Sequence, residues 1–256
     1  FGDIWNAGPV STPITIPMGI AAVVGSFAVG VTMVGDFSRF SKSKRDCMIG
    51  VSIGHCWGYI PILMCGAFFN YAFHNWNIVE IMILSLGLGL FGALVLIIGQ
   101  WTTNDNNLYT SVLGLMNTLD GISKVPRMRL TLIVGLISTA IAAVGLYKYF
   151  VTFLSLLGVF ITPIGGILIA DFYICNRKNY DGGDVPQGIK WDAIVSWAVA
   201  SFVGVTMTAR PVGLGWFVAV GDVIPVPLIC IAVAMVLYVV SQKLQNRKLQ
   251  NKAGAV

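Results

Sequence analysis

Residues 87–111 read GLGLFGALVLIIGQWTTNDNNLYTS. The first half carries no charge and almost no polarity, whereas residues 102–107 are two threonines, three asparagines and an aspartate. A charged side chain at membrane depth costs roughly 3 kcal/mol unless something receives it. The reading of this stretch depends on whether its surroundings are lipid, and composition decides that. Of 256 residues, 56% are hydrophobic and 11% are charged, against about 25% charged in soluble domains.

Apolar stretches of about 20 residues, each long enough to cross a hydrocarbon core, recur along the chain. Seven are read, at 14–34, 48–73, 88–116, 130–147, 151–172, 191–207 and 216–240. In lipid the backbone must satisfy its own hydrogen bonds, so the spans are helices. The expectation is an all-α polytopic membrane protein: one membrane domain over 1–256, ending in a cytoplasmic tail at 241–256.

Charge gives the orientation. Arg39, Lys42, Lys44 and Arg45 follow the first span, and Lys124, Arg127 and Arg129 the third. Arg177, Lys178 and Lys190 follow the fifth, and Lys243, Arg247, Lys248 and Lys252 the seventh. Only Lys148 and Arg210, of 16 basic residues, fall in the other loops. The rich side is cytoplasmic by the positive-inside rule, which puts Phe1 outside and the C-terminus inside. The net charge of +5 is this bias and no nucleic-acid footprint. FGDIWNAGPVSTP has no initiator Met, basic n-region or cleavage site, so it does not read as a signal peptide. An odd number of spans starting in an outer loop points to a chain missing its beginning.

Cys47, Cys56, Cys65, Cys175 and Cys230 show no CxxC pair or metal spacing and read as small apolar residues in buried settings. His55 and His74 are isolated. NWNIVEIMILSLG, polar at its start, reads as an amphipathic helix at about 78–85 on the outer surface. Counting from Leu88 at 1.5 Å per residue, Thr102 lies roughly 21 Å along the next helix, just past the midplane.

Residues three and four apart share a helix face. Gly99 therefore stands one turn before Thr102 and Thr103, its carbonyl uncovered by any side chain. Two hydroxyls and a carbonyl make half an oxygen cage of the kind a small hard cation accepts. Asn106 and Asn107 continue this face, with Asp105 on its flank; interhelical hydrogen bonding is the other reading. In the first span, Gly25, Ser26, Phe27 and Gly30 set an aromatic ring beside exposed backbone. That is either a stacking seat for a flat heterocycle or small-residue helix packing. Asp36 and Arg39, spaced i, i+3, make GDFSRFSKSKRD a structural cap and topology anchor.

VVGSFAVGVTMVGDFSRF, GQWTTNDNNLYTSVLGLMNTL and TPIGGILIADFYICNRKNY strongly resemble the nucleobase–cation symporters, in particular the cytosine permease branch. The resemblance implies a partial leucine-transporter-like fold, helices six to twelve of twelve. The second inverted repeat would occupy 14–172 and two additional spans 191–240, with the first five helices lying outside the chain. It assigns Thr102, Thr103 and the Gly99 carbonyl to sodium, as co-substrate and not cofactor, with a proton as the other possible coupling ion. It places Phe27 against the substrate ring and Ser26 and Asn104 at or near the base pocket. It makes Pro163, Gly165 and Gly166 part of a bending gate. Val29 and Gly99 depart from the cytosine permease pattern, where serine and asparagine stand. Losing two hydrogen-bonding partners changes which base edge a pocket selects.

The implied activity is cation-coupled uptake of a nucleobase or related planar heterocycle across the plasma (inner) membrane, not enzymatic catalysis. A non-transporting fragment stays open as the alternative. A seven-helix receptor or retinal protein fits less well, since 216–240 lacks the lysine a retinal would need. An intramembrane aspartyl protease needs a GxGD turn, and neither Asp36 nor Asp222 has the first glycine.

Overall fold

The computed structural model describes residues 15–75, 77–119, 125–145, 149–175, 188–210 and 212–253, and every regular element among them is helical. Among the described residues, three helical stretches are long and apolar enough to cross a membrane: Lys44–Phe73, Thr152–Cys175 and Val226–Gln245. Ile16–Phe27 and Trp191–Met207 are shorter apolar helices. Lys124, Tyr147, Lys148, Arg177 and Lys178 lie outside the described residues, as does the N-terminal stretch before Thr15. The chain divides into two compact units, residues 1–13 with 35–145 and residues 14–34 with 146–256.

In the second unit, the expected first span is not one helix. Helix α1, Ile16–Phe27, starts at Thr15, whose hydroxyl accepts the Met18 N–H at 3.4 Å, with Pro17 in its first turn. It stops at Phe27, and α2, Gly30–Ser38, resumes three residues on. The junction is wound more tightly than an α-helix: Ala28 N–H bonds Gly25 O, and Val31 N–H bonds Ala28 O. Ser26 and Thr32 hydroxyls donate to the carbonyls three residues back, Val23 at 2.7 Å and Val29 at 2.8 Å. Such back-bonding competes with the helix ladder and bends it.

Helix α7, Phe150–Phe160, meets α8, Thr162–Ala170, at a kink on Ile161. The cause is Pro163, which has no N–H to give the preceding turn. The chain then widens into a π-turn at Asp171–Cys175. Helix α9 spans Trp191–Met207, as expected. The span expected at 216–240 is divided: α10 is only Val218–Gly221, and α11 runs Val226–Ala253. Pro225 and Pro227 set the start of α11, and its apolar character gives way to polar turns without any break in the helix. Helices α8, α9 and α11 enclose a core of Ile167, Ala170, Ala200, Ala234 and Tyr238.

In the first unit, α3, Lys44–Phe73, is capped by Ser43, which accepts the Asp46 N–H at 3.1 Å. It ends on His74 in the left-handed region, φ 50°. No residue of α3 is buried, the profile of a helix facing lipid or a further partner. Cys56 and Cys65 are exposed on it, so the expectation of buried thiols holds fully only for Cys230. The expected helix at 78–85 is present as α4, Ile78–Glu80, continued by a π-turn at Ile81–Ser85. Asn77 caps it through the Val79 and Glu80 N–H groups at 3.1 and 3.4 Å. Gly87 and Gly89, at φ 64° and 50°, turn the chain where a Cβ would be strained. Helix α5, Gly89–Leu119, follows, and α6, Arg127–Ala143, packs against it.

Candidate functional site

The polar stretch that opened the sequence lies within α5, and all of residues 99–107 are exposed. A Cβ built on Gly99 would meet nothing within 4 Å, so the flank beside Thr102 and Thr103 is open. The next turns spend their hydroxyls locally: Thr110 donates to Asn106 O at 2.9 Å and Ser111 to Asn107 O at 2.6 Å. Among the described residues, no cluster of His, Cys, Asp or Glu could hold a metal. A cation here would rest on hydroxyl and carbonyl oxygens, the ligands that hard cations take.

Asn104 faces elsewhere. Five residues from Gly99, it is turned about 140° around the helix. With Gln100, Trp101, Asp105 and Leu108 it lines an open groove of about 650 Å³, whose other wall includes Val79 and Ile83 of the α4 segment. Helix α5 thus has two polar faces, a hydroxyl face and an amide–carboxylate face. Asp105 belongs to the second face, next to Asn104, which residue spacing alone left on the flank of the first.

The substrate-facing expectations in the other unit converge on the α1–α2 junction. Phe27 is 43% exposed although it closes a helix turn. Its ring lies across Gly30, where an added Cβ would collide with three ring atoms. The Ser26 hydroxyl donates its proton to Val23 O at 2.7 Å. Val29 is exposed, and its carbonyl already receives Thr32 Oγ1 and the N–H groups of Thr32 and Met33. The backbone therefore does not replace the hydroxyl that the valine lacks.

Of the residues expected to form a gate, Pro163 and Gly166 are buried. Gly166 sits on the Ile231 backbone, and Gly165 faces Val31, 2.9 Å from its ideal Cβ position to Val31 Cγ1. The side chain of Asp36 is not among those described. Arg39 bonds Tyr109 OH at 2.8 Å.

Two polar assemblies were not foreseen. Tyr109 takes the Arg39 hydrogen bond while Arg127 lies over its ring, 4.6 Å from the centroid. These are two of the basic residues that charge bias had grouped on one side. At the other, Asp171, only 5% exposed, accepts Tyr238 OH at 2.6 Å and pairs with Lys190 Nζ at 3.1 Å. Gln242 extends the network, bonding Asp192 and, at 3.3 Å, the Tyr238 oxygen. A buried carboxylate needs such partners to offset its desolvation. The aspartate inside an apolar run was the available signal, but its partners stand 19 and 67 residues away.

The chain is 33% identical over 204 residues to cytosine permease of Escherichia coli K12, covering 79% of this chain and 47% of that protein. The cytosine permeases of E. coli O6:H1 and O157:H7 match with the same figures. The chain thus spans about half the length of the curated relatives it matches. No solved structure matches it significantly. A family model described as permease for cytosine/purines, uracil, thiamine, allantoin matches residues 2–227, and the chain belongs to that family of transport proteins, which are not enzymes.

Proposed function

We propose that these residues form part of a carrier that moves a nucleobase or related planar heterocycle across the plasma (inner) membrane, coupled to sodium by alternating access. The observation that carries this is the pair of polar faces on α5, which follow directly on its apolar first turns and are exposed. Such groups at membrane depth mark substrate and ion pathways. Thr102, Thr103 and the Gly99 carbonyl are one half of the ion cage. Phe27, Ser26 and Val29 face the substrate, and so, in the other unit, does Asn104. The remaining walls come from helices outside this chain, in a leucine-transporter-like arrangement with seven spans here and five more. Phe1 is on the outer side and the C-terminus is cytoplasmic. With Val29 and Gly99 in place of hydrogen-bonding side chains, the preferred base differs from cytosine. The 256 residues alone, as half of each site, transport nothing.

The test is uptake by proteoliposomes holding the full-length gene product, with cytosine, adenine, uracil and allantoin as probes under separate sodium and proton gradients. Sodium-driven uptake of at least one probe is expected. Uptake driven only by the proton gradient would replace the ion, and no uptake of any probe would sink the transport reading.

A further inference from the structure

Most buried glycines of the second unit are there for close approach of another helix. A Cβ on Gly25 would meet the Leu154 carbonyl, on Gly166 the Ile231 backbone, and on Gly204 the Cys230 and Val159 side chains. Gly30 is different. The three atoms nearest to its ideal Cβ are Cε1, Cζ and Cδ1 of Phe27, from the neighbouring turn of its own segment. The ring occupies the space in which a side chain at 30 would begin.

The backbone around the ring is held from both directions. Before the break, Gly25 rests on α7 at Leu154; after it, Val31 rests on α8 at Gly165. Ala28, inside the break, is 2% exposed. A side chain at 30 therefore cannot be relieved by moving the junction as a whole, and the ring must rotate instead.

We infer that Gly30 is a positioning residue for substrate recognition: its missing side chain lets the Phe27 ring lie across the α1–α2 break, in the orientation that stacks on a planar substrate. This rests on the reading of Phe27 as the substrate's aromatic partner. Gly30 itself need not touch the substrate. The contact of Val31 with Gly165 adds a consequence, since the residue next to Gly30 sits on the proline–glycine stretch of α8. Displacement of α8 is felt at the ring.

The test has two arms in the full-length gene product. In the first, 4-fluorophenylalanine is placed at position 27 and its ¹⁹F resonance is compared with and without Gly30→Ala, needing no substrate. In the second, KM and kcat are measured for the best transported of cytosine, adenine, uracil and allantoin. The variants are Gly30→Ala, Phe27→Ala and the double substitution. Gly30→Ala is expected to shift the resonance and raise KM by about tenfold, within the range of one lost base–aromatic stack, with kcat changed less. The double variant should match Phe27→Ala, because the three atoms nearest to the added carbon all belong to the ring. It should also fold if Gly30→Ala alone does not. An unmoved resonance, or a double variant with additive losses, overturns the inference. If Phe27→Ala leaves KM unchanged while Gly30→Ala still shifts the resonance, the substrate reading of Phe27 fails and the control of its ring by Gly30 stands.

Discussion

The Phe27 ring lies across Gly30, at the point where α1 stops and α2 begins. An exposed aromatic residue at a helix break differs from one inside a continuous helix, because the tightened turns turn it away from the regular face. The junction owes its form to Ser26 and Thr32 back-bonding and to Ala28 being buried.

Phe27→Tyr keeps the ring face and should leave substrate affinity within a few-fold of wild type. Phe27→Ala should weaken it by about 1–3 kcal/mol, the range for base–aromatic stacking. Binding measured in the full-length gene product decides this, and equal losses for the two variants would return the residue to a packing role.

Thr102→Ala and Thr103→Ala should each weaken sodium binding and, through it, sodium-stimulated substrate binding, by about 1–3 kcal/mol of lost coupling. Thr→Ser at either position keeps the oxygen and most of the coupling. Asp105→Asn is the control, since a proton-coupled carrier would need that carboxyl. Substrate affinity with and without sodium, across pH, is the measurement. Full sodium stimulation in both alanine variants, with coupling lost in Asp105→Asn, would assign the ion as a proton.

Tyr109 separates two interactions cleanly. Tyr109→Phe loses the Arg39 hydrogen bond, worth about 1.5–3 kcal/mol to a charged donor and less at an exposed site, but keeps the ring under Arg127. Tyr109→Ala loses a further ~0.5–1 kcal/mol of cation–π attraction. Thermal unfolding in detergent should rank wild type, Phe and Ala in that order. If Phe and Ala are equal, the Arg127 contact contributes nothing.

Tyr238→Phe should destabilise the α8–α9–α11 core by about 1–3 kcal/mol, because the buried Asp171 carboxylate loses the hydrogen bond that Tyr238 donates at 2.6 Å. Lys190→Ala should cost less, since its side chain is 33% exposed and the pair is screened by solvent. Unfolding midpoints of the two variants should show that order, and the reverse order would place the stabilisation in the ion pair.

Gly166→Ala should be costly, about 1–3 kcal/mol from overpacking against the Ile231 backbone. Gly99→Ala should stabilise α5 by up to about 1 kcal/mol on helix propensity, as nothing lies within 4 Å of the added carbon. A stability loss at Gly99 comparable with that at Gly166 would mean that its flank is covered.

Much of the fold was legible in residue order alone, because it is local. The boundaries of α9 at Trp191 and Met207, the helical start after Asn77 and the continuous α5 follow from apolar period, caps and turn residues within a few positions of each other. The polar stretch within α5 was also plain, since polarity inside an apolar run needs no partner to be noticed. What only the tertiary structure decided depends on distant residues. The break after Phe27 needs Leu154 and Gly165 to seat both halves; periodicity alone read one span from 14 to 34. The final span was read across Pro225 because its hydropathy is continuous, whereas the backbone must break where two prolines withhold their N–H groups. Asp171 could be seen as costly, but Tyr238 and Lys190, which receive it, are brought there by helix packing, and so are the two arginines that meet on Tyr109.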